Sequence, residues 1–568
     1  MSVARTILSR SLRRSVKSFF RPQLSRTLST NILDSGLPDV SIPSTSIPEF
    51  VFSKCEKYDH FTAIECGITG RKYTYGEIIS KSKNLSRALR KKLGLKDGDV
   101  VAVLLPNVPE FPLVTLGVLH ANLIVTTLNP VYTQDEIYRQ LSDSLTKVLI
   151  TTPDLLPTVN QITHKFDYTL PVVTIKTRQN QSIYNTIDFR EFVDKGQELS
   201  EVPNKTTSED VAFLPYSSGT TGLPKGVQLT HRNVVANLCQ MPEVQIFEPA
   251  TTNHQDVVPG VAPMAHIFGF FMNTFLVLAN GGQIVTLPKF TPNEYLDVLK
   301  THKVTALLAA PPTILFLTQN SMVKKTDLGA VRTVFSGGAH LSTIDQEKFV
   351  EKMGTHLCVL QGYGLTETLS VTANSPQFNV KGSIGRPLPN TLVKIVDPEG
   401  HSLGANSSGE LLIKGPQVMR GYLNRPEETQ KALVDGWFRS GDVGHYDDDG
   451  FFFITDRFKE LIKVKGFSVA PAELEEVIKR FGGVEDAAVI GVANSRYGEV
   501  PRAYVVLKKD ERVDVEGLEK YVKGQVAEYK QLRGGVEVVD VIPKSSSGKI
   551  LRRELKNDYE KKCTGSGK

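Results

Sequence analysis

Short apolar segments rich in β-branched residues recur through the first three quarters of this chain of 568 residues. Many of them are continuous rather than alternating, which is typical of strands buried on both faces of a sheet. Helical patterns lie between them; residues 74–94, for example, place Ile78, Leu85 and Leu89 on one face. This order of strands and helices predicts an α/β protein with mostly parallel sheets. The predicted strands include "VVAVLLP" (100–106), "KVLITT" (147–152), "VAFLPY" (211–216) and "VRTVFSGGA" (331–339).

The pattern changes in the last third of the chain, where short strands are separated by turn residues. It predicts a small β-barrel-like subdomain at about residues 385–455, at the end of a large N-terminal domain of parallel-rich sheets and helices over residues 31–456. A helix, further strands and another helix then predict a small, mobile α+β C-terminal domain over residues 457–568. The hinge between the two domains is expected near Lys459.

The first 30 residues contain seven Lys or Arg, seven Ser and no acid. Leu8, Leu12 and Val16 fall on one helical face, and the basic residues lie largely on the other. Such an amphipathic, acid-free segment is typical of an organelle transit peptide, which we favour over a disordered basic tail. The sequence therefore predicts import into the mitochondrial matrix, with a plastid as the alternative, and cleavage near residues 26–30.

Removal of this segment changes the charge of the protein. The whole chain has a formal net charge of +6, and loss of the seven basic residues leaves −1, so the charge gives no reason to expect nucleic-acid binding. The five cysteines are scattered and predict neither a disulfide framework nor a zinc site. The apolar segment 268–282 is too short to cross a membrane and predicts a buried helix.

The segment "YSSGTTGLPKGV" (216–227) has the composition of a loop that wraps phosphates. It follows a predicted strand, its glycines allow close backbone approach, and its hydroxyls and lysine offer donors and a positive charge. It is not a Walker A loop, because Lys225 is followed by Gly226 and Val227 rather than by Ser or Thr. The predicted phosphate contacts are Ser217, Ser218, Gly219, Thr220, Thr221 and Lys225.

This segment resembles the AMP-binding signature of the adenylate-forming enzymes, which include acyl-CoA synthetases, firefly-type luciferases and the adenylation domains of peptide synthetases. The chain carries the other motifs of that superfamily in the expected order over nearly all of residues 31–555. Within it, the chain is most similar to 4-coumarate–CoA ligase and its ligase-like relatives. The further motifs include "MAHIFG" (264–269), "SGGAHL" (336–341), "QGYGLTET" (361–368), "GWFRSGD" (436–442), "ITDRFKELIKVKGFSVAPAELE" (454–475) and "PKSSSGKILRREL" (543–555).

The resemblance implies an acid–CoA ligase with two half-reactions. An acid and ATP give acyl-AMP and pyrophosphate, and acyl-AMP and CoA then give acyl-CoA and AMP, with Mg²⁺ on the phosphates. The expected substrate is an aromatic, 4-coumarate-like acid or a medium-chain fatty acid. The alternatives are a luciferase-like adenylating monooxygenase and a stand-alone carrier-loading module, and the short segment after "LRREL" argues against the second. Monomer and homodimer both stay open.

For ATP, the resemblance makes Glu367 the Mg²⁺ ligand and Thr366 a catalytic phosphate contact. A helix N-cap at Thr366 with an acid in the first turn is the structural alternative. Asp442 is the implied ribose anchor, where a plain turn residue is the alternative. Arg457 is implied to support the ribose from the hinge, where a surface charge is the alternative, and Lys459 at the hinge is an implied ATP contact. The residues implied to line the adenine and the acyl-adenylate are Gly338, Gln361, Gly362 and Tyr363.

Lys549, on the glycine-containing loop "SSSGK", is the implied catalytic lysine of adenylation, and a solvated lysine is the alternative. The resemblance implies that the small domain then rotates, withdraws Lys549 and brings in Lys463 for thioester formation. Ser468 stands where the family often has Gln, a departure that bears on this second conformation. The implied CoA contacts are Lys289, Lys465 and Gly466.

The implied acyl pocket is apolar. His266 matches the residue beside the carboxylate, where a neutral imidazole would donate a hydrogen bond; a purely structural histidine is the alternative. Phe268 stands where coumarate ligases often carry Tyr, and Met272 where they carry a small residue, which favours a medium-chain or plain aromatic acid over coumarate. The implied pocket residues are His266, Ile267, Phe268, Met272 and Leu369.

Overall fold

The computed structural model of the chain describes residues 31–178, 181, 183–203, 205–217, 224–457, 460–464, 467–494, 496–545 and 548–565. The predicted transit peptide lies outside these residues. The described chain forms a large domain of mixed sheets and helices followed by a small domain, which confirms the predicted α/β fold class. None of the helices in this part of the chain is both long and apolar enough to span a bilayer.

A nine-stranded sheet forms the first half of the large domain. Val100–Val103 and Val148–Thr151 are buried at every position, as expected of parallel strands covered on both faces. Tyr75–Lys91 begins with a capping box in which Thr74 accepts from the backbone N–H of Glu77. In spatial order the strands are Tyr216–Ser217, Lys225–Thr230, Val211–Phe213, Ile124–Thr127, Val100–Val103, Val148–Thr151, Val172–Thr174 and Ile187–Asp188, and Gly421–Tyr422 pairs with Lys225–Thr230. The accompanying helices are Ile47–Cys55, Tyr75–Lys91, Glu110–His120, Gln134–Asp143, Leu156–Thr163, Phe189–Gly196 and His231–Gln240.

Two smaller sheets form the second half of the large domain. One has the strand order Val257–Gly260, Gln283–Thr286, Thr62–Cys66 and Lys72–Thr74. The other has the order Ala306–Ala309, Thr333–Ser336, Cys358–Leu365, Leu369–Ala373 and Arg386–Pro387. Their helices are Pro292–Thr301, Pro311–Gln319 and Thr343–Met353.

The apolar segment 268–282 forms a buried helix, as predicted, but its pitch changes along its length. Its centre, Phe270–Leu276, is a π-helix whose seven residues are all buried. Short α-helical pieces, Ile267–Gly269 and Val277–Ala279, flank it. Because π-helical turns are rare and are often found at functional sites, this segment is a candidate for part of the functional site.

A six-stranded antiparallel sheet, with helix Pro426–Ala432 beside it, closes the large domain. The observed small domain has a five-stranded sheet and its own apolar core. Its three helices, including the C-terminal helix Arg552–Gly565, pack on that sheet. The predicted domain boundaries themselves stay predictions. The strands of the six-stranded sheet are Ile32–Leu33, Leu392–Val396, Gly409–Lys414, Leu433–Val434, Trp437–Tyr446 and Phe452–Arg457. The small domain contains strands Ile462–Val464, Phe467–Val469, Val484–Asn494, Gly498–Leu507 and Val536–Val538, and helices Pro471–Lys479, Val515–Gln525 and Arg552–Gly565.

Candidate active site

One cavity of about 1360 Å³ lies where the two halves of the large domain meet the small domain. Strand ends, turns and the π-helical segment of the large domain line most of it, and the loop before helix Arg552–Gly565 closes one side. The structure thus places residues from distant parts of the sequence around one space. The predicted site residues that line it are Ser217, Lys225, His266, Ile267, Phe268, Met272, Gly338, Gly362, Tyr363, Thr366, Glu367, Leu369 and Lys549.

An antiparallel hairpin holds the two ends of the predicted phosphate loop. Ser217 lies opposite Lys225 across the pair of strands. The Ser217 hydroxyl is buried and finds no hydrogen-bond partner within the described part of the chain. Such an orphaned polar atom at the edge of a cavity indicates a place for a ligand oxygen. Four further predicted contacts, Ser218, Gly219, Thr220 and Thr221, lie outside the described residues.

The ammonium group of Lys225 is held by its neighbours at the cavity wall. It lies 3.8 Å from a carboxylate oxygen of Glu428 and 5.0 Å from the ring centroid of Tyr422. Both contacts favour a positive charge at this position. The positive charge of Lys225 is therefore positioned at the wall of the cavity.

Glu367 lies in the tight turn between strands Cys358–Leu365 and Leu369–Ala373. The alternative in which Thr366 caps a helix is wrong, since this antiparallel pair leaves no helix for it to begin. The hydroxyl of Tyr422 donates to Oε1 of Glu367 at 3.1 Å. Burial, followed by the charge of Glu367, raises the pKa of Tyr422, so the phenol stays a donor.

The predicted adenine and ribose residues lie at the wall of the cavity or just behind it. Gly338 has a φ of 85°, a left-handed conformation that favours glycine. At Gly362 an added Cβ would lie 2.3 Å from the ring of Phe335, so only glycine fits between that ring and the cavity. Gln361 lies just behind the lining, where its side-chain amide donates to Gln346 at 3.3 Å.

Asp442 also lies behind the lining and is linked to it through Tyr363, whose hydroxyl donates to its carboxylate at 2.6 Å. It is buried in the middle of strand Trp437–Tyr446, so the alternative of an ordinary turn residue is wrong. Arg457 lies opposite Asp442 on the neighbouring strand. Lys459 lies outside the described residues.

The predicted acyl end of the cavity, lined by His266, Ile267, Phe268, Met272 and Leu369, is apolar apart from His266. Burial lowers the pKa of His266, so its imidazole is neutral at pH 7, and its Nδ1 accepts from the backbone N–H of Phe268 at 3.4 Å. At Gly337 an added Cβ would lie 2.8 Å from the Phe268 ring. Sequence reasoning did not identify several residues that line this part of the cavity, although one of them, Gly337, stands in a motif that it had singled out. These lining residues are Phe271, Phe335, Gly337 and Leu365.

Lys549 follows a tight turn in the loop of the small domain. Gly548 has a φ of 83°, and the backbone N–H of Lys549 donates to the hydroxyl of Ser545 at 3.1 Å. A Cβ at Gly548 would lie 2.3 Å from the ring of Pro312, at the start of a helix of the large domain. This close approach presses the loop against the large domain and brings Lys549 to the cavity.

Of the residues predicted to serve thioester formation and CoA binding, the two whose side chains the structure describes do not line this cavity. Lys463 is exposed on the small-domain strand Ile462–Val464, and Lys289 is exposed after strand Gln283–Thr286. Lys465 and Gly466 lie outside the described residues, as does the side chain of Ser468. The described arrangement therefore gathers the predicted ATP and acyl groups, while the role of each residue stays a prediction.

Comparison with known protein families shows to which family the chain belongs. Residues 51–423 match the model of the AMP-binding enzyme family, and residues 473–549 match that of the AMP-binding enzyme C-terminal domain. The chain belongs to the AMP-binding enzyme family, which confirms the resemblance to adenylate-forming enzymes and identifies the protein as an enzyme.

Curated relatives are similar over almost their whole length. The chain is 35% identical over 537 residues to probable 4-coumarate–CoA ligase 1 of Dictyostelium discoideum, covering 92% of this chain and 97% of the relative. It is 38% identical over 549 residues to 4-coumarate–CoA ligase-like 9 of Oryza sativa subsp. japonica, covering 94% and 97%. The crystal structure of ATP-bound MatB from Rhodopseudomonas palustris superimposes with a TM-score of 0.81 at 30% identity, covering 91% of this chain and 99% of that one.

Proposed function

We propose that this protein is an ATP- and Mg²⁺-dependent ligase that joins a carboxylic acid to coenzyme A through an acyl-adenylate. One observation carries the proposal: a single cavity is lined by Lys225 and Glu367, which both contact Tyr422, by Lys549, and by a neutral histidine beside apolar side chains. A triphosphate needs the charged groups, and an acyl chain needs the apolar ones. The names of the curated relatives and the ATP of the similar MatB structure support the same reaction class.

In the first half-reaction a carboxylate oxygen of the acid attacks the α-phosphorus of ATP. The new O–P bond gives acyl-AMP, and the bond from the α-phosphorus to the bridging oxygen breaks, so that pyrophosphate leaves. In the second, the sulfur of CoA attacks the acyl carbon, the bond from that carbon to the bridging oxygen breaks, AMP leaves with this oxygen, and the thiol proton is released to solvent. The protein contributes alignment of the reactants and stabilisation of charge on the phosphates.

The residues at the phosphate end suit this task. Lys225 would leave Glu428 for the β- and γ-phosphates, and the orphaned hydroxyl of Ser217 would donate to a phosphate oxygen. Lys549 would place its positive charge where the bond between the acid and the α-phosphate forms. A neutral His266 would orient the acid without adding a charge to compete with Lys549.

Glu367 fits an Mg²⁺ site completed by the substrate. No cluster of three or more acidic, His or Cys side chains in the described part of the chain could hold a metal by itself. Mg²⁺ characteristically binds through one or two carboxylates together with substrate phosphates and water, and when bound it neutralises phosphate charge. Tyr422 would then fix the orientation of the one carboxylate that the chain supplies.

The walls of the acyl end support an aromatic or medium-chain acid as substrate. Phe268, Phe271, Met272 and Leu369 line it, and they offer no hydrogen-bonding side-chain group to a ring hydroxyl. An unsubstituted ring or an alkyl chain would bury its surface there without leaving a polar group unpaired. A coumarate-like hydroxyl would find a poorer match.

The experiment is a panel of carboxylic acids incubated with ATP and Mg²⁺, with and without CoA. We expect acyl-AMP and pyrophosphate without CoA, and acyl-CoA by mass spectrometry with it. Pyrophosphate release with no transfer to CoA would favour a carrier-loading role, and an oxidised product would favour a luciferase-like reaction. Absence of acyl-AMP with every acid would contradict the adenylating function.

We also propose that residues 1–30 direct the protein to mitochondria. A fluorescent protein fused to residues 1–35 should co-localise with a mitochondrial marker, because the segment is amphipathic, basic and free of acids. A plastid signal in a plant cell would favour the alternative, and a cytosolic signal would contradict both.

A further inference from the structure

Two domains meet beside the cavity through a row of alternating charges. Asp345, near the start of helix Thr343–Met353 of the large domain, lies 3.4 Å from the ammonium group of Lys479, in the last turn of small-domain helix Pro471–Lys479. Lys479 also lies 3.2 Å from Asp486. Asp486 in turn accepts from Lys544. We call Asp345, Lys479, Asp486 and Lys544 the charge chain.

The far end of the charge chain is the loop that carries Lys549. Lys544 pairs with Ile550 in an antiparallel bridge, which holds the two ends of the loop beside each other. The backbone N–H of Ser545 donates to the carbonyl of Lys549 at 2.8 Å. Displacement of Lys544 is therefore transmitted directly to Lys549.

The side chains of the charge chain are partly buried, so solvent screens their ion pairs less than it screens ion pairs on the surface. The side chains of Lys479 and Asp345 are 15% and 10% exposed. Although burial opposes it, the charges of Asp486 and Asp345 raise the pKa of Lys479, which stays protonated. Partly buried charges cost free energy when a partner is removed, so each link restrains the next.

We propose that Asp345 and Lys479 are positioning residues that dock the small domain on the large one with Lys549 directed into the cavity. They touch no reacting atom in this arrangement and act through Lys549. The charge chain, with the contact between Gly548 and Pro312, fixes both ends of the loop relative to the cavity. The consequence for catalysis rests on the function proposed above, whereas the docking itself does not.

Asp345→Asn weakens the link between the domains. It removes one charge at nearly constant shape, and Lys479 keeps its partner Asp486 inside the small domain. The remaining amide oxygen can still accept from the hydroxyl of Ser342, as the carboxylate does at 2.7 Å. Glu473→Gln is a matched control, since it breaks an ion pair with Lys530 within the small domain. Asp345→Glu is the conservative variant expected to restore the contact.

The first measurement follows docking without any substrate. Amide hydrogen exchange by mass spectrometry should quicken in Asp345→Asn at residues 548–556 and at Pro311–Gln319, two segments that approach each other at Gly548 and Pro312, with little change elsewhere. Glu473→Gln should leave both segments as in the wild type. Unchanged exchange in Asp345→Asn would overturn the proposal, whatever reaction the protein catalyses.

The second measurement follows the adenylation rate. Asp345→Asn should lower acyl-AMP formation about tenfold or more, the order expected when a reacting group is misplaced by a fraction of an ångström, and Asp345→Glu should recover most of it. In a Lys549→Ala background the same substitution should cause no further loss, because its effect passes through Lys549. An equal loss in both backgrounds would overturn the positioning role and leave a merely structural one. Failure of the wild type to form acyl-AMP would instead count against the proposed function.

Discussion

The two ends of the cavity are built in different ways. At the phosphate end, two predicted functional charges contact another polar side chain, Lys225 that of Glu428 and Glu367 that of Tyr422. At the acyl end, apolar side chains, a glycine and a π-helical segment shape space and make few directed contacts. We infer that the phosphate end determines the reaction, so that substitutions there lower the rate strongly. The acyl end determines which acid is bound, so that substitutions there change the substrate preference.

The sharpest test of this contrast is Lys549→Ala. We expect acyl-AMP formation to fall about a thousandfold, because a charge at the forming bond is lost. Thioester formation from added acyl-AMP should stay near the wild-type rate. Rapid-quench assays of each half-reaction make the measurement, with Lys561→Ala on the exposed C-terminal helix as control. Equal loss of both half-reactions would contradict the assigned role.

Glu367→Gln tests the phosphate end at the metal. We expect acyl-AMP formation to fall about a hundredfold, since the neutral amide is a poor Mg²⁺ ligand. The Mg²⁺ concentration needed for half-maximal binding of ATP, followed by calorimetry, should rise as well. The exposed Glu399→Gln is the control. A lower rate with an unaltered Mg²⁺ requirement would mean that Glu367 does something else.

Tyr422→Phe tests whether the hydrogen bond that holds the Glu367 carboxylate matters for the reaction as the carboxylate itself does. The ring that Lys225 contacts remains, while the hydrogen bond to Glu367 is lost. We expect a loss of about tenfold in acyl-AMP formation and in Mg²⁺ affinity together. Tyr184→Phe, at an exposed site, is the control. Wild-type behaviour of Tyr422→Phe would weaken the idea that this end depends on paired charges.

The sequence predicts the phosphate end better than it predicts the acyl end. Lys225, Glu367 and Lys549 stand in motifs whose spacing is tied to one chemistry, and the structure brings all three to the same cavity. Tyr422 escaped notice because its function depends on pairing of strand Gly421–Tyr422 with the strand after the phosphate loop, nearly 200 residues earlier.

At the acyl end, the periodicity of apolar residues identified a buried helix but could not give its pitch. In a segment that is apolar on every side, α and π turns bury the same residues, so the pattern does not distinguish them. The lining residue Gly337 follows a strand far along the chain, and only the tertiary structure sets it against Phe268. Packing of this kind has no local signal in a single sequence.

Met272→Ala tests whether the acyl end is as tunable as this contrast requires. Met272 is buried in the π-helical segment and lines the cavity, so its truncation lengthens the space for the acid. We expect kcat/KM for longer or bulkier acids to rise several-fold relative to short ones, since one or two methylene groups in an apolar pocket change selectivity by about tenfold. The rate of acyl-AMP formation with the best acid should change less than in any variant of the phosphate end. Competition between pairs of acids gives the ratios, with the exposed Met322→Ala as control. A uniform fall in rate for every acid, with no change in preference, would show that this end also holds the reacting groups in place, and the distinction between the two ends would no longer stand.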